Sequence, residues 1–169
     1  MQALPSGRDG IVTGAEVGKV VELLRELEAT LVNIGHGRDA GSAERAARFV
    51  RAWSAAGGEI GAVVSWPARA ASWLKPACRL VAGGPDAWVV ADEPTGWTGF
   101  GRRLAAVGGW RPDRTVAFAG LADPLLPAAV GAAATDGMRG AASDGSGWMF
   151  ADGRLISRGT GGGTVTPWR

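Results

Sequence analysis

TLVNIGHGRDAGSAERAARFVRAWSAAGGEIGAVVSW, residues 30–66, changes its hydrophobic period twice, and those changes decide the fold. TLVNI (residues 30–34) is short, apolar and β-branched, which predicts a strand that breaks at GHGRDAG. Ser42 is then expected to cap a helix whose Ala43, Ala46, Ala47, Val50 and Trp53 share one face. Gly57 and Gly58 stop that helix, and EIGAVVSW returns to a strand pattern rich in Val and Ile. Pro67 closes the second strand, because it has no amide to give to a sheet ladder. Strand, helix and strand in this order make a parallel crossover unit, which is right-handed.

Outward from this unit the alternation continues. Upstream, GAEVGKVVELLRELE places Val17, Val20, Val21, Leu24 and Leu27 on one helical face. Downstream, a third helix carries Leu74, Ala77, Cys78 and Val81 on one face, with Pro76 in its first turn. DAWVVA (residues 86–91) has too few polar interruptions for a half-exposed strand and reads as a buried parallel one. A fourth helix carries Phe100, Leu104 and Val107, and TVAFA (residues 115–119) is a fourth strand. A short helix over residues 124–133 leads to DGMRGAAS, a fifth strand. WMFADGRLI then holds Asp152-Gly153, a preferred pair for a two-residue hairpin turn. The expected fold is α/β: a three-layer, Rossmann-like, mostly parallel sheet with helices on both faces and a C-terminal β-hairpin. Residues 1–157 read as one domain and residues 158–169 as a flexible tail.

Composition bounds what such a domain can do. At 169 residues, 46% hydrophobic and 20% charged, the chain can bury an ordinary core. Its 18 basic and 16 acidic residues are interspersed, so the net charge of +2 does not predict a nucleic-acid partner. The single cysteine, Cys78, reads as a small apolar residue on its helix and excludes an internal disulfide or a cysteine-based metal cluster. No apolar run approaches the roughly 18 residues of a membrane span, so no membrane insertion is expected. MQALPSGRDG lacks the charged and apolar regions of a signal peptide. That predicts a cytoplasmic location for the chain as it stands, or an extracytoplasmic one if it is a piece of a longer receptor.

Ligands of open parallel sheets bind outside the carboxyl ends of the strands, where loops converge and helix N-termini point. This nominates GHGRDAG, DEPTG (residues 92–96) and GLADP (residues 120–124). Gly35, Gly37 and Gly41 loosely match a dinucleotide fingerprint, but Ser65 and Trp66 stand where the next strand should end in an acidic residue. His36, the only histidine, has no partner at metal-ligand spacing and reads as a polar turn residue. Arg38 and Asp39 could clamp a zwitterion through charge-assisted bonds, or pair with each other at the surface. Asp92 and Glu93 are adjacent carboxylates, and consecutive residues point apart, which disfavours a paired acid and base. With no G-x-S-x-G elbow and no P-loop, the chain reads as non-enzymatic, with no cofactor and no metal.

Taken in order, these segments resemble the carboxyl-terminal lobe of type I periplasmic binding proteins, the leucine/isoleucine/valine and amino-acid receptors of ABC importers. The resemblance runs over residues 4–142. LPSGRDGIVTGAEVGKVVELLRELE and TLVNIGHGRDAG are similar to the family's linker, helix and first strand. RFVRAWSAAGGEIGAVVSWPA resembles its next helix, glycine pair and strand, and WLKPACRLVAGGPDAWVVADEP the helix and buried strand after that. TVAFAGLADPLLPAAVGAAATDGMRGA resembles the following strand and small-residue helix.

The resemblance implies a solute receptor in which two lobes close on an amino-acid-like ligand. It implies a cleft lined by Arg38, Asp39, Ala40, Asp92, Glu93, Leu121 and Asp123, with Arg38 on a carboxylate and Glu93 or Asp123 on an ammonium. The sequence departs from the pattern at Ala40, where an aromatic is usual, at Glu93, near a usual tyrosine, and at Ala119, where a carboxylate is expected. It covers one lobe, so a second copy or a separate lobe is the implied partner, and the site reads as degenerate. Two alternatives stand beside this. One is a dimerising interaction or regulatory module with Trp97 or Trp110 exposed on an apolar patch. The other is a nucleotide- or flavin-binding enzyme using the turn from Gly35 to Gly41.

Overall fold

Thr13, in an extended conformation, accepts a hydrogen bond from the Glu16 amide and so starts α1 (Gly14–Glu26). From there a computed structural model describes residues 12–158. The elements that follow are β1 (Leu31–Gly37), α2 (Ala40–Ala55), β2 (Glu59–Trp66), α3 (Leu74–Val81), β3 (Ala87–Ala91) and α4 (Pro94–Val107). Next come β4 (Thr115–Ala117), α5 (Leu126–Val130), β5 (Arg139–Ala141), β6 (Gly147–Ala151) and β7 (Arg154–Arg158). The strands form one sheet in the order β2-β1-β3-β4-β5-β6-β7, parallel from β2 to β5 and antiparallel thereafter. The expected α/β class, the helices on both faces and the terminal hairpin are all present.

Alternation along β3 divides the core. Ala87, Val89 and Ala91 face α1 and α2, with Val20, Leu24, Phe49 and Trp53. Trp88 and Val90 face the other layer, with Leu80, Trp97, Phe100 and Leu104 of α3 and α4. All five β3 residues are buried, as its unbroken apolar run requires. Asn33 is the exception in β1, and it is fully partnered: its side chain donates to the carbonyls of Leu80 and Ala82 and accepts from the Ala62 amide. That last bond fills the register shift between β1 and β2.

Several local expectations are corrected. β1 does not break at Gly35 but runs on through His36, which pairs with Ser65 and Ala91, so His36 is a strand residue. Asp39, not Ser42, caps α2: its carboxylate accepts from the Ser42 amide at 2.9 Å. The buried face of α2 is Ser42, Arg45, Ala46, Phe49 and Trp53, and Ala47, expected on that face, is exposed. α3 buries Ala77 and Leu80, and Cys78 is exposed, because the tighter contact lies along the Trp73 side of that helix. β4 ends at Ala117, where a 3-10 turn over Ala119–Leu121 takes over.

The turn at Asp152 and Gly153 adopts left-handed backbone at both positions, with φ of 51° and 70°, as the two-residue hairpin demands. Arg158, where the tail was expected to start, still belongs to β7; residues 159–169, and residues 4–11 of the resemblance, lie outside the described residues. No helix among the described residues is long and apolar enough to cross a membrane.

Candidate ligand-binding cleft

In this strand order the connections leave β1 and β3 in opposite directions, since β2 lies to one side of β1 and β4 to the far side of β3. The two loops therefore part at the carboxyl ends of β1 and β3, and the sheet has its topological switch point there. An open cleft of about 820 Å³ occupies that point, within the range of small-ligand sites. Arg38, Asp39 and Ala40 enter it from the end of β1, and Asp92 and Glu93 from the end of β3. The first turns of two helices also line it, Ala40 and Gly41 of α2 and Thr95 and Gly96 of α4. Each helix N-terminus brings about half a positive charge. A second hollow of about 360 Å³ adjoins it, lined by Ala119, Gly120, Asp123 and Ser143. Arg45 and Glu93 line both.

Of the seven residues expected to form the site, five share the main cleft, and Asp123 lies in the second hollow across Glu93. Leu121 does not reach either. It is fully buried in the core layer of α4 and α5, because the 3-10 turn aims its side chain beneath the sheet end. Arg38 does not pair with Asp39: its Nε donates to Ser65 Oγ at 3.3 Å, while Asp39 serves the start of α2.

Asp92 is held most firmly. Trp66 Nε1 donates to its Oδ2 at 2.7 Å and the Glu93 amide to its Oδ1 at 2.8 Å. Gly37 and Gly96 make room for it, since a β-carbon at either would press on this carboxylate, at 2.9 Å from Cγ and 2.5 Å from Oδ1 respectively. Burial pushes the Asp92 carboxyl up to about 6, against the pull of the Trp66 and Glu93 donors and with the help of the Asp39 and Glu93 charges.

A carboxyl whose folded value is raised binds its proton more tightly in the folded chain. Stability from Asp92 is therefore present below the ordinary value of 3.8 and is lost as pH rises through about 6. The loss is up to about 3 kcal/mol, and urea midpoints should fall between pH 4 and pH 7 by a corresponding amount. The Trp66 indole N–H resonance should titrate with a midpoint near 6. A resonance that does not move over this range would contradict the assignment.

Two features escaped the sequence reading. Glu16 of α1 is fully buried, and its Oε1 accepts from Arg45 Nε at 3.1 Å and from the Ala119 amide at 3.0 Å. The signal was there: Glu16 and Arg45 each stand four residues before a core residue, Val20 and Phe49, on the apolar stripes of α1 and α2. The other is the end of β2, where Pro67 and Ala68 line the cleft because β2 is the neighbour of β1.

Both alternative readings lose their support. Trp97 is fully buried and Trp110 is nearly so, stacked edge to face within the second core layer, so neither forms an exposed patch. Gly35 lies within the strand beneath the Trp66 ring, where a β-carbon would stand 2.7 Å from Cη2. Its glycine serves packing rather than a phosphate turn.

No protein-family model matches the chain, and no curated protein matches it. Solved structures do. A substrate-binding periplasmic protein from Ralstonia solanacearum superposes with a TM-score of 0.65 at 21% identity, over 76% of this chain and 36% of that one. An extracellular ligand-binding receptor from Rhodopseudomonas palustris gives a TM-score of 0.67 at 17% identity, over 75% and 34%. The branched-chain amino acid transporter substrate-binding protein of Streptococcus pneumoniae, solved with isoleucine, gives 0.61 at 17%, over 74% and 35%. The chain thus spans about a third of the length of the structures it matches. With its strand order, its switch-point cleft and these superpositions taken together, the chain has the fold of one lobe of the type I periplasmic binding proteins.

Proposed function

We propose that this domain binds a small amino-acid-like solute, without chemical turnover, in the cleft at the ends of β1 and β3. The observation that carries the reading is the meeting of opposite polarities there. Two helix N-termini and Arg38 offer positive charge to a carboxylate, and Asp39, Glu93 and Asp123 offer negative charge to an ammonium. In this reading Arg38 holds the carboxylate and Glu93 or Asp123 the ammonium. The solved complex with isoleucine in a protein of the same fold supports a ligand of this class.

Specific sites bury most of a ligand's surface, and a cleft walled on one side buries about half. The second wall is therefore a separate lobe, whether from a longer polypeptide or a second copy, and a lone domain binds weakly. Calorimetry on this chain against a panel of amino acids should give millimolar dissociation constants for at least one. Absence of heat with all of them at that concentration would sink the proposal. Arg38→Gln should weaken the binding about tenfold, in line with loss of one charge-assisted contact of roughly 1.5 kcal/mol.

A further inference from the structure

The two helices that cover one face of the sheet carry charge of a single sign. From residue 60 to residue 85, and again from 94 to 112, the chain has no acidic residue, yet it places Arg69, Lys75, Arg79, Arg102 and Arg103 there. On the opposite face α1 and α2 mix the two signs and neutralise them in the pairs Lys19–Glu22, Arg45–Glu16 and Arg48–Glu44. The five cations beside α3 and α4 are all exposed, and none has an ion-pair partner among the described residues. Arg102 alone is tied down, its Nε donating to the Ala129 carbonyl at 2.9 Å. Like charges gathered without counter-charges repel one another, and an anionic partner relieves that repulsion.

We infer that the outer face of α3 and α4 seats on an anionic lipid surface, lying on it without spanning it. The shape and the apolar residues select lipid among polyanions. Leu74 is 48% exposed in the midst of the cations, next to the half-buried Trp73. Trp73 donates its indole N–H to the Pro67 carbonyl at 2.9 Å, and its ring rests against Gly99, where a β-carbon would stand 2.7 Å from Cη2. That ring is not free for a base to stack on, whereas an exposed leucine and a fixed tryptophan ringed by long cationic side chains suit the boundary between headgroups and acyl chains. Leu74, Lys75, Cys78 and Arg79 share the outer side of α3, opposite the buried Ala77 and Leu80. The residues exposed between the cations are small, among them Ala71, Cys78, Ala105 and Ala106, so nothing stands above Leu74 and the basic side chains to hold a flat surface away. The shallow hollow beside Trp73 shares no residue with either hollow at the strand ends, so the solute cleft stays open when this face is covered.

The test is cosedimentation of the full chain with vesicles of equal parts phosphatidylglycerol and phosphatidylcholine, and with vesicles of phosphatidylcholine alone. Binding is expected to the anionic vesicles only, and it should weaken as salt screens the exposed charges. Lys75→Gln/Arg79→Gln should lower the partition coefficient about 25-fold, at about fivefold for each cation near the surface. Arg25→Gln/Arg51→Gln removes the same charge from exposed positions on α1 and α2 and should leave partitioning nearly unchanged. Leu74→Gln should lower it severalfold. Cys78, the only cysteine, takes an environment-sensitive fluorophore on this same face, and its emission should shift to the blue on the anionic vesicles. No binding to anionic vesicles overturns the inference. Equal losses in the two charge variants, or bound protein whose Cys78 label does not shift, overturn the choice of face. Binding to duplex RNA as tight as to vesicles, with Leu74→Gln without effect on either, overturns lipid as the partner.

Discussion

Glu16→Leu is expected to lower the unfolding free energy by about 3–5 kcal/mol, most of the stability an ordinary domain possesses. The substitution leaves the buried Arg45 guanidinium without the carboxylate its Nε is bonded to at 3.1 Å, and strips the Ala119 amide of its acceptor. Arg45→Met should cost a similar amount by leaving Glu16 charged and buried. The double variant Glu16→Leu/Arg45→Met should regain most of the loss, since two apolar side chains then fill the space of an ion pair. About 1–3 kcal/mol should stay lost for the unpaired Ala119 amide. Urea denaturation of the four proteins checks this as a double-mutant cycle. Single losses that simply add in the double variant would show that the pair is not coupled.

The second large effect is expected at Trp66, whose ring stacks on Phe100 with centroids 3.7 Å apart and planes at 4°. Trp66→Ala should cost about 3–5 kcal/mol in packing, with a further loss as Asp92 loses its indole donor. Gly35→Ala should cost about 1–3 kcal/mol, because its β-carbon enters the space of the same ring. Combined, the two should cost less than their sum, since the alanine at position 35 grows into the void left at position 66. Strict additivity in thermal or urea unfolding would remove the packing explanation for Gly35 and reopen a role for that glycine in binding.

The cleft's architecture was legible in the sequence where periodicity carries it. β2 was read to the residue, because its Val and Ile run stands between a glycine pair and Pro67. The buried character of β3 followed from a run with no polar residue between Ala87 and Ala91. What was hidden depends on contacts between distant segments. Gly35 and Gly37 looked like turn residues because their neighbours Trp66 and Asp92 arrive from elsewhere in the chain, and only those neighbours explain a glycine within a strand. The same holds for Asp39, whose bond to the Ser42 amide competes locally with Ser42 as the cap, and sequence alone treats both as good starts for a helix.

Site residues followed a similar division. The rule that ligands gather at strand carboxyl ends led to the loops whose Arg38, Asp39, Ala40, Asp92 and Glu93 line the main cleft and whose Asp123 lines the second hollow. It could not tell that Leu121 turns inward, because a 3-10 turn of three residues has no periodicity to read. It also passed over Arg45, which sits one helical turn inside α2 and looks like any surface arginine until Glu16 is placed opposite it. The spacing of each from its core neighbour was a usable clue, and a charged residue on an apolar stripe is worth asking about in any such sequence.

The claim at the centre is that the ends of β1 and β3 hold a small charged solute. Backbone amide shifts recorded during titration with amino acids test it most directly, because they report position as well as binding. The account predicts saturable shifts concentrated at Arg38, Asp39, Ala40 and Gly41 and at Glu93, Thr95 and Gly96, with smaller ones at Gly120 and Asp123. Shifts confined to another surface, such as the shallow hollow of Trp73, Gly99 and Arg103, would contradict it, as would a spectrum that no amino acid changes.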